Sequence, residues 1–286
     1  MNTRARLGTV LAVLAALLST AGCNKLKARD QLNKGVHAYR SGQNEQAIEK
    51  FKNAVDLDPD LKVAKLYLAT AYAQQYVAGV DTPENVANAK QAIDQYQRVL
   101  ENDPQSVNSL KGIAYLYMQM KEFDKARDFY QKAIQIDPND PELYYSVGVI
   151  DWSQAYKDAA EVKSKAGVKV DDELKGKNDQ KICDQLKAKN ASAIDQGMNM
   201  LLKAIDKRQD YDDAMAYLNL LYRRKANDMT CEDAAARADY IKQANDWSDK
   251  AMAARKKKME LAAKKNAGGI ILDQPKQDQG QSGQKK

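Results

Sequence analysis

The sequence predicts an all-α protein, an α-α superhelix of stacked helical hairpins, and three observations carry that prediction. The first is the stretch Val107 to Asp140. There Leu110, Ile113, Ala114 and Tyr117 recur at three and four residues and share one helix face, and Ala126, Tyr130 and Ala133 do the same on a second helix. The second is Asp137-Pro138, which ends that second helix because proline disfavours helical geometry in the residue before it. The third is recurrence. From Ala28 to Leu61, Gly35, Ala47, Phe51, Ala54 and Pro59 stand at the matching offsets, with Ser41-Gly42 as the tight turn. One hairpin cannot bury its apolar face alone, so neighbours at the same period are required.

Five hairpins are expected, over residues 28–61, 62–106, 107–140, 141–211 and 212–258. In the second, Leu68, Ala69 and Tyr72 mark the first helix and Ala92, Tyr96 and Val99 the second, with extra residues between them. In the fourth, Tyr144, Val147 and Gly148 open the first helix, but Gly197, Leu201 and Ala204 resume only after an insertion, 153–193. The fifth starts at Met215, Leu218 and Tyr222 and resumes at Ala244, Ser248 and Ala251, again with an insertion. The small residues let two backbones approach while Tyr117 and Tyr130 fill the space around them.

This pattern resembles the tetratricopeptide repeat, W-x2-L-G-x2-Y followed by A-x3-F and then P over about 34 residues. Leu110 stands in place of the Trp and Ala114 in place of the Gly. The resemblance covers Ala28 to Lys258, and two ungapped copies in one register argue against an unrelated helical bundle. It implies a solenoid over residues 28–266, closed by a C-terminal capping helix, with the first helix of each hairpin lining a concave groove. The family's inward positions map onto Leu32, Val36, Tyr39 and Arg40; Leu66 and Thr70; Lys111, Tyr115, Met118 and Gln119; Tyr145, Val149 and Trp152; and Leu220 and Arg223. The resemblance therefore implies a protein or peptide ligand held on an aromatic surface with scattered cations. Members that clamp a C-terminal carboxylate use Lys and Asn at two positions of the first repeat where this chain has Leu32 and Val36, so that clamp is not expected.

Residues 1–22 read as an export signal: Arg4 and Arg6 give a positive start and Leu7 to Leu18 an apolar run, short of the ~20 residues that span a bilayer as a helix. Ser19-Thr20-Ala21-Gly22-Cys23 resembles the lipobox of bacterial lipoproteins, with Thr20 where that family usually has Leu. The resemblance implies lipidation of Cys23, a short linker at 23–27 and a tethered, non-spanning protein, since two acyl chains hold a membrane stably. Asn24 is compatible with the periplasmic side of an outer membrane, because an Asp there is the enterobacterial signal for the inner one. Without Arg4 and Arg6 the net charge falls from +6 to +4, too mild to name a partner. The basic block Arg255 to Lys258, with Lys264 and Lys265, suits the dipole end of a long last helix. No aromatics are interleaved there to stack bases, so no nucleic-acid partner is expected. Beyond it, Ile270 to Leu272 is a lone apolar patch, and the tail 267–286 has the composition of a disordered segment.

Catalysis is not expected. One histidine, His37, excludes a multi-histidine metal site, and no phosphate-loop, dinucleotide or nucleophile-elbow motif occurs. Asp56, Asp58 and Asp60 imitate the start of a calcium loop, but Leu61 and Tyr67 replace its glycine and its bidentate glutamate. Neither cofactor nor metal is implied. The rival from another class is an enzyme with its site in the insertion 153–193, which carries Asp171, Asp172, Glu173, Asp179 and Cys183. Two cysteines remain once Cys23 is lipidated. Cys183 and Cys231 fall in insertions of adjacent hairpins, where solenoid loops share one edge, and export permits oxidation, so a disulfide between them is expected over two free thiols.

Overall fold

Ten helices in sequence, and no strand among the described residues, make up the computed structural model, which describes residues 3–268 and the side chains of 22–175 and 179–264. They are α1 (Thr3–Arg40), α2 (Asn44–Leu57), α3 (Lys62–Ala73), α4 (Pro83–Asn102), α5 (Val107–Gln119), α6 (Phe123–Ile136), α7 (Pro141–Lys165), α8 (Gly176–Lys207), α9 (Asp212–Met229) and α10 (Ala234–Gly268). Odd and even helices pair as antiparallel hairpins, and each even helix packs on the next odd one, so the chain is an all-α tetratricopeptide-like solenoid. The tail beyond Gly268, with Ile270 to Leu272, lies outside the described residues.

Local chemistry sets the hairpins. Gly42, at φ 73°, closes the α1–α2 turn, where the Gln43 N–H donates to the Ala38 carbonyl at 2.9 Å. In the third hairpin Lys121 takes the same left-handed geometry at φ 60° without being a glycine. Thr82 and Asp140 cap α4 and α7 through their side chains, each followed by a proline at the first helical position. The core is a chain of clusters rather than one centre. Ala47, Phe51, Ala69 and Tyr96 belong to the first, Ala114, Tyr130 and Val147 to the second, and Ile194, Leu201 and Leu218 to the third.

Periodicity marks an uncovered face on α10. Val55, Leu100, Ile134 and Ile205 occupy one equivalent position on successive even helices, and each packs against a core cluster. Met252 holds that position on α10 and is 60% exposed, and no further hairpin covers it among the described residues. The neighbouring residues fit an outer face: Ser248 replaces the Phe51, Tyr96, Tyr130 and Leu201 of earlier hairpins.

Two expectations need correction. The insertions of the fourth and fifth hairpins are not loops. Within 153–193, α7 continues to Lys165 and α8 begins at Gly176, so both helices of the hairpin are lengthened, and α9 and α10 are lengthened alongside them. The reason is a small separate core, in which Ala159, Val162, Leu174, Cys183 and Leu186 are buried with Val168, Val170, Ile182 and Cys231 against them. Cys183 therefore lies on α8, while Cys231 lies in the turn between α9 and α10; the two are bonded, with Cα atoms 6.3 Å apart. Second, residues 23–27, expected as a linker, are helical and continuous with α1, and Cys23 is exposed on it. In the second hairpin the extra residues do form a loop, which the buried Asn85 holds by bonding the Val77 N–H and carbonyl and the Val80 carbonyl at 2.7–2.8 Å. Among the described residues no helix is long and apolar enough to cross a membrane.

The far end of the lengthened hairpins is pinned by buried charge. Lys163 and Asp228, both without solvent exposure, form an ion pair at 2.6 Å, and Arg224 approaches the other carboxylate oxygen at 3.2 Å. Lys163 also donates to the carbonyls of Val170 and Asp172, and Arg224 to that of Val170. These contacts clamp the 166–175 connection onto α9. Burial lowers the Lys163 pKa, which Asp228 partly restores, and burial raises that of Asp228, which Arg224 and Lys163 hold back.

Candidate peptide-binding groove

First helices approach one another directly, α1 with α3, α3 with α5 and α7 with α9, as expected of the inner layer of such a solenoid. The residues mapped to that layer divide into three groups. Leu32, Val36, Tyr39 and Leu66 are half-buried and spend most of their apolar surface on the first core cluster. Arg40 is exposed. Thr70 is committed locally: its hydroxyl donates to the Leu66 carbonyl at 2.9 Å and accepts from the Tyr96 hydroxyl at 3.2 Å. Leu66 and Thr70 also line, with Tyr67 and Asn108, a surface depression of about 360 Å³.

The second group lies on α5. Tyr115 is 50% exposed, the only aromatic among the large exposed side chains of the described residues, and Met118 and Gln119 are half-buried beside it. Lys111 is not a free cation. Its Nζ lies 3.0 Å from Asp140 and 3.1 Å from Glu142 at the start of α7, and these carboxylates raise its pKa against the opposing effect of burial.

The third group forms an aromatic cluster between α7 and α9. Tyr145 meets Tyr217 edge to face at 5.7 Å and Tyr211 at 5.0 Å, while Trp152 meets Tyr217 at 5.2 Å and stacks on Tyr156 at 5.3 Å. Tyr145, Val149, Trp152, Tyr156 and Tyr217 are all half-buried. Tyr145 and Trp152 share one helix and point to one side of it because they are seven residues apart. Burial, with Tyr217 and Asp213 nearby, pushes the Tyr145 hydroxyl well above its ordinary value, and burial pushes that of Tyr211 up to about 12. Further along α9, Leu220 is half-buried, and Arg223 is held by amide oxygens of Asn219 and Asn245 at 2.8 Å each, neither of which carries charge.

Sequence mapping missed Tyr156, Tyr211, Tyr217 and Asp213. Tyr156 had a signal, its i+4 spacing from Trp152, but lay in the stretch read as an insertion. Tyr217 stands one position off the family's inward pattern, and only the close approach of α7 to α9 turns it into the groove. Three of the insertion's four named acids are occupied: Asp171 pairs with Arg224, Glu173 with Arg237 and Lys175, and Asp179 accepts from the Lys175 N–H. The basic block is likewise half spent. Arg255 and Lys258 reach back to Asp212 at 3.0 and 2.6 Å, because α10 runs antiparallel to α9 and brings its cations to the α9 N-terminus, while Lys256 and Lys257 stay exposed.

Comparison with known proteins places this geometry. Sequence models of the tetratricopeptide repeat match residues 32–75, 63–106 and 107–140. Residues 32–140 are tetratricopeptide repeats. In fold, the solenoid is similar to a crystal structure of MamA protein, with a TM-score of 0.53 at 16% identity over 82% of this chain and 94% of that one. It is also similar to MamA from Desulfovibrio magneticus RS-1, with a TM-score of 0.52 at 14% identity over 81% and 96%. In sequence, the repeats are similar to the mitochondrial import receptor subunit TOM70 of Homo sapiens, 25% identical over 166 residues, which is 55% of this chain and 26% of that protein. They are also similar to the photosystem I assembly protein Ycf3 of Synechococcus sp. (strain CC9605), 27% identical over 44% of this chain and 75% of that one. The chain thus spans about a quarter of the length of the receptor subunit it matches.

Proposed function

We propose that this protein is an exported scaffold, tethered through Cys23, that binds a protein or peptide partner in its concave groove without a catalytic step. The observation that carries the binding half is a set of aromatic side chains left at least partly open to solvent: Tyr115 on α5, and the touching rings of Tyr145 and Trp152 on α7 and Tyr217 on α9. Rigid aromatic side chains on packed helices offer large contact area at little entropic cost, and such residues dominate binding energy where they are found at interfaces. Tyr115 is the cleanest anchor, since it packs on no other ring. The relatives' names, an import receptor and an assembly protein, are consistent with a scaffold and favour a polypeptide partner over a small molecule. A narrower reading, an assembly factor for an outer-membrane β-barrel or a pilus or secretion complex, draws on the assembly role in the name of the second relative.

Changing Tyr115, Tyr145 and Trp152 together to Ala is expected to weaken capture of the native partner at least about tenfold, measured by crosslinking in the membrane followed by mass spectrometry. Capture equal to wild type by a variant with an unchanged helical spectrum would remove the groove as the site. The tether rests on the lipobox-like Ala21-Gly22-Cys23 and on the exposure of Cys23. Cys23→Ala is expected to shift the protein from the membrane fraction to the soluble or unprocessed one. Normal processing with unchanged fractionation would refute the anchor.

A further inference from the structure

The acidic groups of the groove are distributed unevenly, and their arrangement says which partner it fits. At the start of α9, Asp212 is nearly buried and is neutralised by both Lys258 and Arg255. Its neighbour Asp213 is different. It is 57% exposed, and its one ion-pair contact among the described residues is a 3.4 Å edge to the Arg255 guanidinium that already serves Asp212. Asp213 precedes Tyr217 by four residues on α9, so the two side chains share one face of that helix, and the Tyr217 ring in turn meets Tyr145 and Trp152. The groove's own lysine offers no opposing charge. Lys111 is outnumbered by Asp140 and Glu142, and Arg208, the cation nearest the cluster, lies over the Tyr211 ring at 4.2 Å with Glu142 at 3.7 Å. Arg223 stands ten residues along α9 from Asp213, roughly 15 Å away at the helical rise.

Tyrosine rings carry negative charge on their faces and attract a cation placed within about 6 Å, and a carboxylate beside them adds a directional partner. We propose that the groove takes a basic segment of a partner polypeptide, with a lysine or arginine side chain seated on the rings of Tyr145 and Tyr217 and facing the carboxylate of Asp213. The proposal rests on the groove being the binding surface, and it adds the charge of what is bound. It also accounts for Lys111: a basic residue left bare at the centre of the groove would repel such a segment, and two carboxylates from the next hairpin silence it.

The test is fluorescence anisotropy with the purified full chain and two labelled peptides of the same apolar background, one carrying Lys and Arg at alternate positions and the other Glu, at low salt. The basic peptide is expected to bind about tenfold or more tightly than the acidic one, with a preference that shrinks as salt is raised. Asp213→Asn, on an exposed site, is expected to cut that preference below about threefold. Tyr115→Ala is expected to weaken both peptides alike. Equal binding of the two, preference for the acidic one, or a preference untouched by Asp213→Asn would overturn the basic-segment proposal while leaving the groove intact. Binding of neither peptide, by protein whose thermal unfolding matches wild type, would overturn both.

Discussion

Asp151 shows how one substitution within a repeat alters what the fold must solve. It occupies the position that Tyr72 holds in the second hairpin, Tyr117 in the third and Tyr222 in the fifth, and it has no solvent exposure. Arg127 of the preceding hairpin answers it, with Nε and Nη2 donating to one carboxylate oxygen at 3.0 and 2.8 Å, while the other oxygen has no partner. Burial pushes the carboxyl up to about 6, and Arg127 limits the rise. Because the folded value lies above the ordinary ~3.9, the folded state holds the proton more firmly than the unfolded chain. The stabilisation associated with that proton is complete below about pH 4 and is lost as the pH rises through about 6, by at most about 3 kcal/mol. Relative to wild type, Asp151→Asn is expected to flatten this fall, seen as a gap between the two urea midpoints that shifts steadily in favour of the variant from pH 4 to 7. Parallel midpoints across that range would show that the carboxylate does not titrate there. The site is tight on its other side as well, since a Cβ added at Gly197 would lie 2.8 Å from the Asp151 Cβ.

At the scale of the element, the α7–α8 hairpin brings two helix backbones together at Gly148 and Gly197. A Cβ on Gly148 would come within 2.5 Å of the Leu201 side chain and 3.2 Å of the Gly197 carbonyl, which is backbone and cannot rotate away. Gly148→Ala is therefore expected to destabilise by about 1–3 kcal/mol, despite the ~1 kcal/mol that Ala gains over Gly in helix propensity. Chemical denaturation checks this; a variant as stable as wild type would mean that the two helices are not in contact at this height. Gly148, Gly197 and the closing Asp-Pro pairs are the features that made the hairpins legible in the sequence, since each marks a backbone requirement at a fixed offset. The lengthened parts of α7 and α8 were not legible, and the reason is physical. Their small core uses Ala159, Val162 and Cys183, with a buried Asn190 nearby, between lysines and aspartates, so its apolar period is faint. Lys163, Arg224 and Asp228 read as surface charges in a sequence, because only the fold shows that they meet one another. In the groove, Tyr115 and Trp152 followed from the repeat pattern, whereas Tyr217 and Asp213 acquired their setting from the approach of α9 to α7.

For the whole molecule, the bond between Cys183 and Cys231 adds a covalent tie between the fourth and fifth hairpins, which otherwise meet through packing, the buried Lys163–Asp228 pair and a few hydrogen bonds. In an oxidising compartment a link across a separation of 48 residues removes unfolded-state freedom worth roughly 4 kcal/mol on the chain-entropy estimate. Peptide mapping of the non-reduced mature protein is expected to recover Cys183 joined to Cys231; two freely alkylated thiols would refute the link. Cooperativity should differ along the stack accordingly, because repeats coupled only to neighbours open from their ends, whereas the last two hairpins open together.

The same bond sets a limit on length. Were the protein drawn out between its two ends, the residues enclosed between Cys183 and Cys231 would contribute nothing to the reach of the chain. At ~3.4 Å per extended residue, the oxidised molecule comes to full stretch roughly 160 Å sooner than the reduced one.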